Sequence, residues 1–166
     1  MESILQNTWK WLGTVQQALQ SLFTSIIEKA GGIEELCIMT ARSLLGLFFI
    51  YFGLDKLTSY SDTTIYLSAF GVSGLFLPLV LLLEIVGGIA LLVGWQLKRA
   101  AALLAGFTVL TALVFHSDFS EQVQVILFMK NIAIAAGLLL FVAIGAGRLS
   151  LDAQKPKKRK KAKTSK

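Results

Sequence analysis

Four long apolar runs constrain this chain more than any other feature. Leu36 to Leu54 carries one charge, Arg42; Leu75 to Trp95 carries only Glu84; Ala100 to His116 carries none; Val123 to Gly147 carries only Lys130. A helix needs roughly 20 residues to cross a hydrocarbon core of about 30 Å, and all four runs are near that length. Their apolar residues do not alternate with a period of two, which argues against a barrel. The predicted fold class is all-α: a polytopic membrane protein with a four-transmembrane-helix bundle, spanning about 36–54, 75–95, 100–116 and 123–147 within a domain over 36–148. Charged residues make up only 16% of the chain, against roughly 25% in soluble domains.

Two segments flank that domain. In residues 1–35, Ile4, Leu5, Thr8, Leu12, Val15, Leu19, Leu22, Phe23 and Ile26 follow helical spacing, with Gln6, Lys10, Gln17, Gln20 and Thr24 on the other face. This predicts an N-terminal amphipathic interfacial helix. The segment lacks the basic region, continuous apolar stretch and cleavage site of a signal peptide. Trp9 and Trp11 suit the headgroup zone, so the helix is expected to lie along the membrane surface; binding a partner helix is the alternative. Gly31 and Gly32 supply a break before the first span.

At the other end, residues 149–166 form a polybasic tail. Eight of the sixteen Lys and Arg lie in the last twelve positions, and removing them turns a net charge of +6 into −2. Following a span, such a tail is expected to meet the lipid bilayer through anionic headgroups, at about 1 kcal/mol per basic residue near the surface. It lacks the aromatic interleaving of a nucleic-acid binder, so no nucleic acid is expected. With four spans, Lys10, Lys29, Lys98, Arg99, Arg148 and the tail share one side, and Lys56 stands alone on the other. The positive-inside rule then predicts that both termini are cytoplasmic.

Small residues recur at packing intervals: Gly46 and Gly53, Gly88 and Gly94, Ala101 and Ala105, Ala102 and Gly106, Ala133 and Gly137. In lipid such residues mark faces where helix backbones approach closely. One cysteine, Cys37, and one histidine are too few for an internal disulfide or a zinc site, so no metal is expected.

The charges inside the runs are the informative ones. Counted from the outer face at 1.5 Å per residue, Glu84 lies about 14 Å deep and Lys130 roughly 10 Å deep, so the two can meet if their helices are neighbours. Asn131 points about 100° away from Lys130 and is expected to serve a different neighbour. Arg42 lies about 9 Å below the cytoplasmic surface. Helical side chains tilt toward the N-terminus, so Arg42 leans to the cytoplasm while Glu84 and Lys130 lean outward. A polar pocket containing Glu84 is therefore expected to open outward, with Arg42 as its floor or as a separate anchor. Asp55, Lys56 and His116 sit near the outer ends of their spans. Long basic side chains can snorkel to an interface, but the short stem of Glu84 cannot. An acid at that depth must be paired, protonated or facing water, and is a functional hypothesis by default.

The ordered segments RSLLGLFFIYFGLDKL, YLSAFGVSGLFLPLVLLLEIVGGIALLVG, RAAALLAGFTVLTALVFHSDF, FMKNIAIAAGLLL and GAGRLSLD resemble the DoxX family of small four-helix bacterial inner-membrane proteins, over roughly Met39 to Asp152. The family's recurring polar positions correspond here to Arg42, Gly53 with Lys56, Glu84, His116, and Lys130 with Asn131. The amphipathic N-terminal helix and the polybasic tail depart from its compact members. The resemblance implies a multi-pass protein of the bacterial inner membrane and a link to quinone chemistry or to complexes handling oxidative stress. A quinone is then the possible cofactor, held near Glu84, Lys130 and His116, although no recognisable cofactor motif is present. Lacking haem, flavin or iron–sulfur ligands, the chain is not expected to be an enzyme on its own, and a membrane redox partner or a homo-oligomer is implied. Scaffolding and small-solute or proton permeation are the alternatives; four spans without an inverted repeat leave little room for alternating access.

Overall fold

The structure, a computed structural model, describes residues 2–154, with side chains from residue 9 onward except 29 and 30. The basic run at 155–166, with its expected lipid contact, lies outside the described residues. Two compact units divide the chain, Met1–Ile38 and Met39–Lys166. Every regular element among the described residues is a helix, and none is a strand.

The first unit contains α1, Glu2–Ala30, and the opening residues of α2, Ile33–Thr58. Between the helices the backbone adopts φ +88° at Gly31 and +115° at Gly32, values that glycine reaches without a Cβ clash. The Gly32 N–H donates to the Ile27 carbonyl at 2.9 Å and closes the end of α1. Along α1, Trp9, Trp11, Leu19, Leu22 and Phe23 are exposed.

The second unit contains the rest of α2, then α3 (Tyr60–Ala69), α4 (Leu77–Val93, preceded by a 3-10 turn over Gly74–Phe76), α5 (Leu97–Phe115) and α6 (Gln122–Ile144). Four helices, Ile33–Thr58, Gly74–Val93, Leu97–Phe115 and Gln122–Ile144, are long and apolar enough to cross a membrane. They correspond to the four predicted spans, with ends moved by a few residues. The last helix stops at Ile144 because Gly145 takes φ +88°. Gly94, at φ +68°, ends α4 as a left-handed cap, its N–H and that of Trp95 donating to the Leu91 and Ala90 carbonyls.

Leu77, Leu91, Leu97, Leu104 and Leu138 are fully buried and form the bundle interior. Leu47, Leu82, Leu103, Leu110 and Leu139 point outward at mid-helix and are more than half exposed. An apolar exterior along every spanning helix fits a lipid solvent, since closed backbone hydrogen bonding leaves only side chains facing it. α2 approaches α4 most closely where Gly46 faces Gly88: a Cβ added to Gly46 would lie 2.7 Å from the Gly88 carbonyl oxygen, and one added to Gly88 2.8 Å from that of Gly46. The other small residues are not all interface positions. Gly106 has nothing within 4 Å of its Cβ direction, and Gly137 meets only Leu45 at 3.9 Å.

The sequence reading assigns no element between the first two predicted spans, and the structure places α3 there. Its sequence, YSDTTIYLSA, has no clear apolar stripe, so periodicity does not reveal it. Tertiary contact holds it instead: Tyr66 and Phe70 meet Phe115 of α5, with ring centroids 5.6 Å and 5.1 Å apart.

Candidate intramembrane site

The second unit buries charged side chains in two places. At the end nearest the C-terminal segment, Arg42 is 3% exposed and its Nη2 donates to the Leu149 carbonyl. The segment after α6 folds back here, with the Leu151 and Asp152 N–H groups donating to Val93 and Gly94 at 3.1 and 3.0 Å. The Asp152 carboxylate accepts from the Gln96 and Leu97 N–H groups at 3.0 and 2.9 Å. It thereby caps α5, and its charge also acts on Arg42. A Cβ on Gly94 would strike the Arg42 guanidinium, so only glycine leaves room for it. Of the two places expected for Arg42, the structure selects the separate anchor, away from the pocket that holds Glu84.

That pocket lies at the opposite end, between the C-terminal halves of α2 and α5 and the N-terminal halves of α4 and α6, and α3 contributes to its wall. Glu84 projects from α4 with 5% of its side chain exposed, and both of its oxygens accept from Lys56 Nζ, at 2.9 and 3.0 Å. The sequence reading allows Glu84 to meet Lys130 or Arg42, and the structure pairs it with neither. The reason lies in Gly53, three residues before Lys56 and so on the same helix face. A Cβ there would sit 2.7 Å from Ile85 Cγ1 and 3.3 Å from Glu84 Cβ. Without that atom, α2 comes close enough for Lys56 to reach back, against the simple picture of a residue at the interface.

Lys130 lines the same cavity without bonding Glu84, its Nζ 5.9 Å from the centroid of the Phe52 ring. Lys56 Nζ is 5.6 Å from that ring, so Phe52 lies within cation–π range of both lysines. Asn131 corrects another expectation: it lines this pocket beside Lys130, 7% exposed, rather than serving a different neighbour. Two residues 100° apart can share one cavity when it is wide enough to subtend that arc. Asp55 is exposed and is not among the lining residues.

His116 ends α5 and lines the cavity, its Nδ1 2.8 Å from Gln124 Oε1. An amide oxygen only accepts, so Nδ1 carries the hydrogen in this pair, and in the neutral ring Nε2 is then the acceptor. Sequence reasoning missed Gln124, which adjoins His116 only after the chain turns from α5 into α6. Tyr66 on α3 was missed for the same reason; burial pushes its phenol above its ordinary value, so the hydroxyl remains a donor. In the turn between α5 and α6, bonds from the Ser120 hydroxyl and N–H hold the Asp118 carboxyl below its ordinary range.

The cavity has a volume of about 290 Å³, at the small end of ligand sites, which run roughly 300–1,000 Å³. Its wall is mainly aromatic and aliphatic, interrupted by Lys56, Glu84, His116, Lys130 and Asn131. Such a chamber suits one ring-sized group with polar substituents.

A family model described as DoxX covers residues 37–117. The chain is 45% identical over 120 residues to the inner membrane protein YqjF of Escherichia coli strain K12, covering 72% of this chain and 92% of that protein. It is 28% identical over 129 residues to the inner membrane protein YphA of the same strain, covering 74% and 92%. No solved structure matches.

Proposed function

We propose that this chain, which belongs to the DoxX family, is an inner-membrane accessory of a quinone-linked redox or oxidative-stress system and holds a quinone headgroup in the pocket around Glu84. The observation that carries this reading is a buried carboxylate held by Lys56 in a ring-sized aromatic chamber. A bound quinone would supply two-electron, two-proton redox chemistry. Phe52 and Phe48 would flank its ring, and Lys56, Lys130, Asn131 and His116 would face its oxygens. Nε2 of His116, with its partner nitrogen fixed by Gln124, is suited to accept a proton at the pocket wall. The chain's own residues provide binding and proton handling; electrons require a partner.

The excess of basic residues on the side of the termini supports placing both termini in the cytoplasm, with the pocket in the periplasmic half of the bilayer. A scaffolding role is the second reading, favoured by the ion pair that ties α2 to α4. Full-length protein in lipid nanodiscs, titrated with a short-chain quinone, separates the two. The quinone reading expects saturable binding that Glu84→Gln, by releasing Lys56, shifts about tenfold or more while the variant still accumulates in the membrane. Scaffolding expects the variant to fail in accumulation instead. Absence of both saturable binding and any respiratory partner on crosslinking overturns the quinone reading.

A further inference from the structure

The charges around the cavity do not cancel. Glu84 is engaged through both oxygens by Lys56, which leaves Lys130 without a carboxylate partner among the described residues. Beside it, the Asn131 side chain is 7% exposed and makes no hydrogen bond to any described residue. Its amide atoms are not sealed in but accessible at the cavity wall, free to bond an occupant, and a lone ammonium within a spanning helix is costly. The cation–π contact with Phe52 answers the Lys130 charge only in part. Thr108 and Thr111 line the same cavity but bond neither residue; their hydroxyls donate to the Leu104 and Phe107 carbonyls in their own helix.

A single group would satisfy both: an oxygen carrying negative charge, on a planar ring that fits the aromatic walls. We infer that Lys130 and Asn131 make this pocket selective for the anionic form of its ring ligand, an enolate, phenolate or aryl carboxylate, over the neutral form. The inference rests on the reading of the pocket as a ring-binding site and adds the charge of the occupant. Lys130 supplies the attraction beside the apolar wall that it helps to line. Asn131 donates to the same oxygen and fixes its position. Glu84 does not repel the ligand at full strength, since Lys56 neutralises it at 2.9 Å.

Equilibrium dialysis with the full-length chain in nanodiscs of neutral lipid tests this with two probes. One is naphthoquinone hydroxylated beside a carbonyl, a vinylogous acid ionised at neutral pH; the other is its uncharged parent. The expected result is that the anion binds at least about tenfold more tightly. Lys130→Met should weaken the anion far more than the parent and bring the ratio close to one, and Lys130→Arg should retain most of the preference. Asn131→Ala should weaken the anion more than the parent. Lys130 makes no hydrogen bond to a described residue, so its substitution gives up only the cation–π contact with Phe52, and circular dichroism checks the fold. Equal affinities in the unsubstituted protein, or a preference that survives Lys130→Met, overturn the inference while leaving the ring-binding reading intact. Binding of neither probe overturns both.

Discussion

At one end of the second unit Arg42 is 3% exposed, and the chain itself surrounds it: the Leu149 carbonyl accepts from it, Gly94 packs against its guanidinium, and Asp152 faces it. At the other end Glu84 is 4% exposed, and its ion pair borders a cavity of about 290 Å³ in which Lys130 and Asn131 have no hydrogen-bond partner among the described residues. Both ends place a charge where charge is costly. The difference is what surrounds it. Packing that closes around Arg42, even with its Nε and Nη1 unbonded, makes it a tie for the C-terminal segment, whereas unfilled space beside accessible donors makes the Glu84 end a place for another molecule.

If the two ends are separate in this way, they should respond separately to substitution. The largest effect is expected where α2 and α4 touch backbone to backbone between them. Gly88→Leu drives a side chain into the Gly46 carbonyl, which cannot yield as a flexible side chain can. Overpacking typically costs about 1–3 kcal/mol, and this substitution should lie at the top of that range, at about 3 kcal/mol. Gly106→Leu meets nothing within 4 Å and should change the thermal midpoint in detergent little. Equal losses for the two would mean that the Gly46–Gly88 contact does not hold the pocket's helices in place.

Next in size is the ion pair. Lys56→Met leaves Glu84 buried without its cation, which should cost about 2 kcal/mol, since an orphaned buried charge is penalised more than a lost pair. Adding Glu84→Gln to Lys56→Met should recover much of that loss in the same thermal measurement without restoring binding in the pocket. No recovery in the double variant would show that the two side chains are not coupled. The pocket end would then differ from the Arg42 end in size alone.

How much of this contrast the sequence carries depends on which distances it encodes. Depth is a one-dimensional quantity, and counting residues from the end of a span suffices to place Glu84 in the membrane and to lean Arg42 toward the other side. Partnership is set by the relative rotation of helices, which no single run contains. Depth therefore suggested Lys130 for Glu84, while the close approach permitted by Gly53 assigns Lys56. The same rotation brings Asn131 into the pocket beside Lys130. Hydropathy located four spanning helices because each signal is local. It passed over α3, whose Ser, Thr and Tyr content has no stripe and whose position depends on rings from α5. Asp152 was equally hidden, since the α5 N–H groups it caps lie 55 and 56 residues away in the chain.

That cap supplies the smallest and most local test of the comparison. Asp152→Asn removes the charge facing Arg42 but keeps one oxygen to accept from the start of α5; Asp152→Ala removes both. The difference between the two variants isolates the cap and should be about 1 kcal/mol, the usual worth of a capping acceptor. Both variants should loosen the C-terminal return, seen as faster amide exchange at Leu151 and at Leu97. Their discrimination between anionic and neutral ring probes should equal that of the unsubstituted chain, because neither residue borders the cavity. If Asp152→Asn changes that discrimination as strongly as Lys130→Met, the buried charges at the two ends are energetically linked. Arg42 then belongs to the function of the pocket rather than only to the closing of the chain.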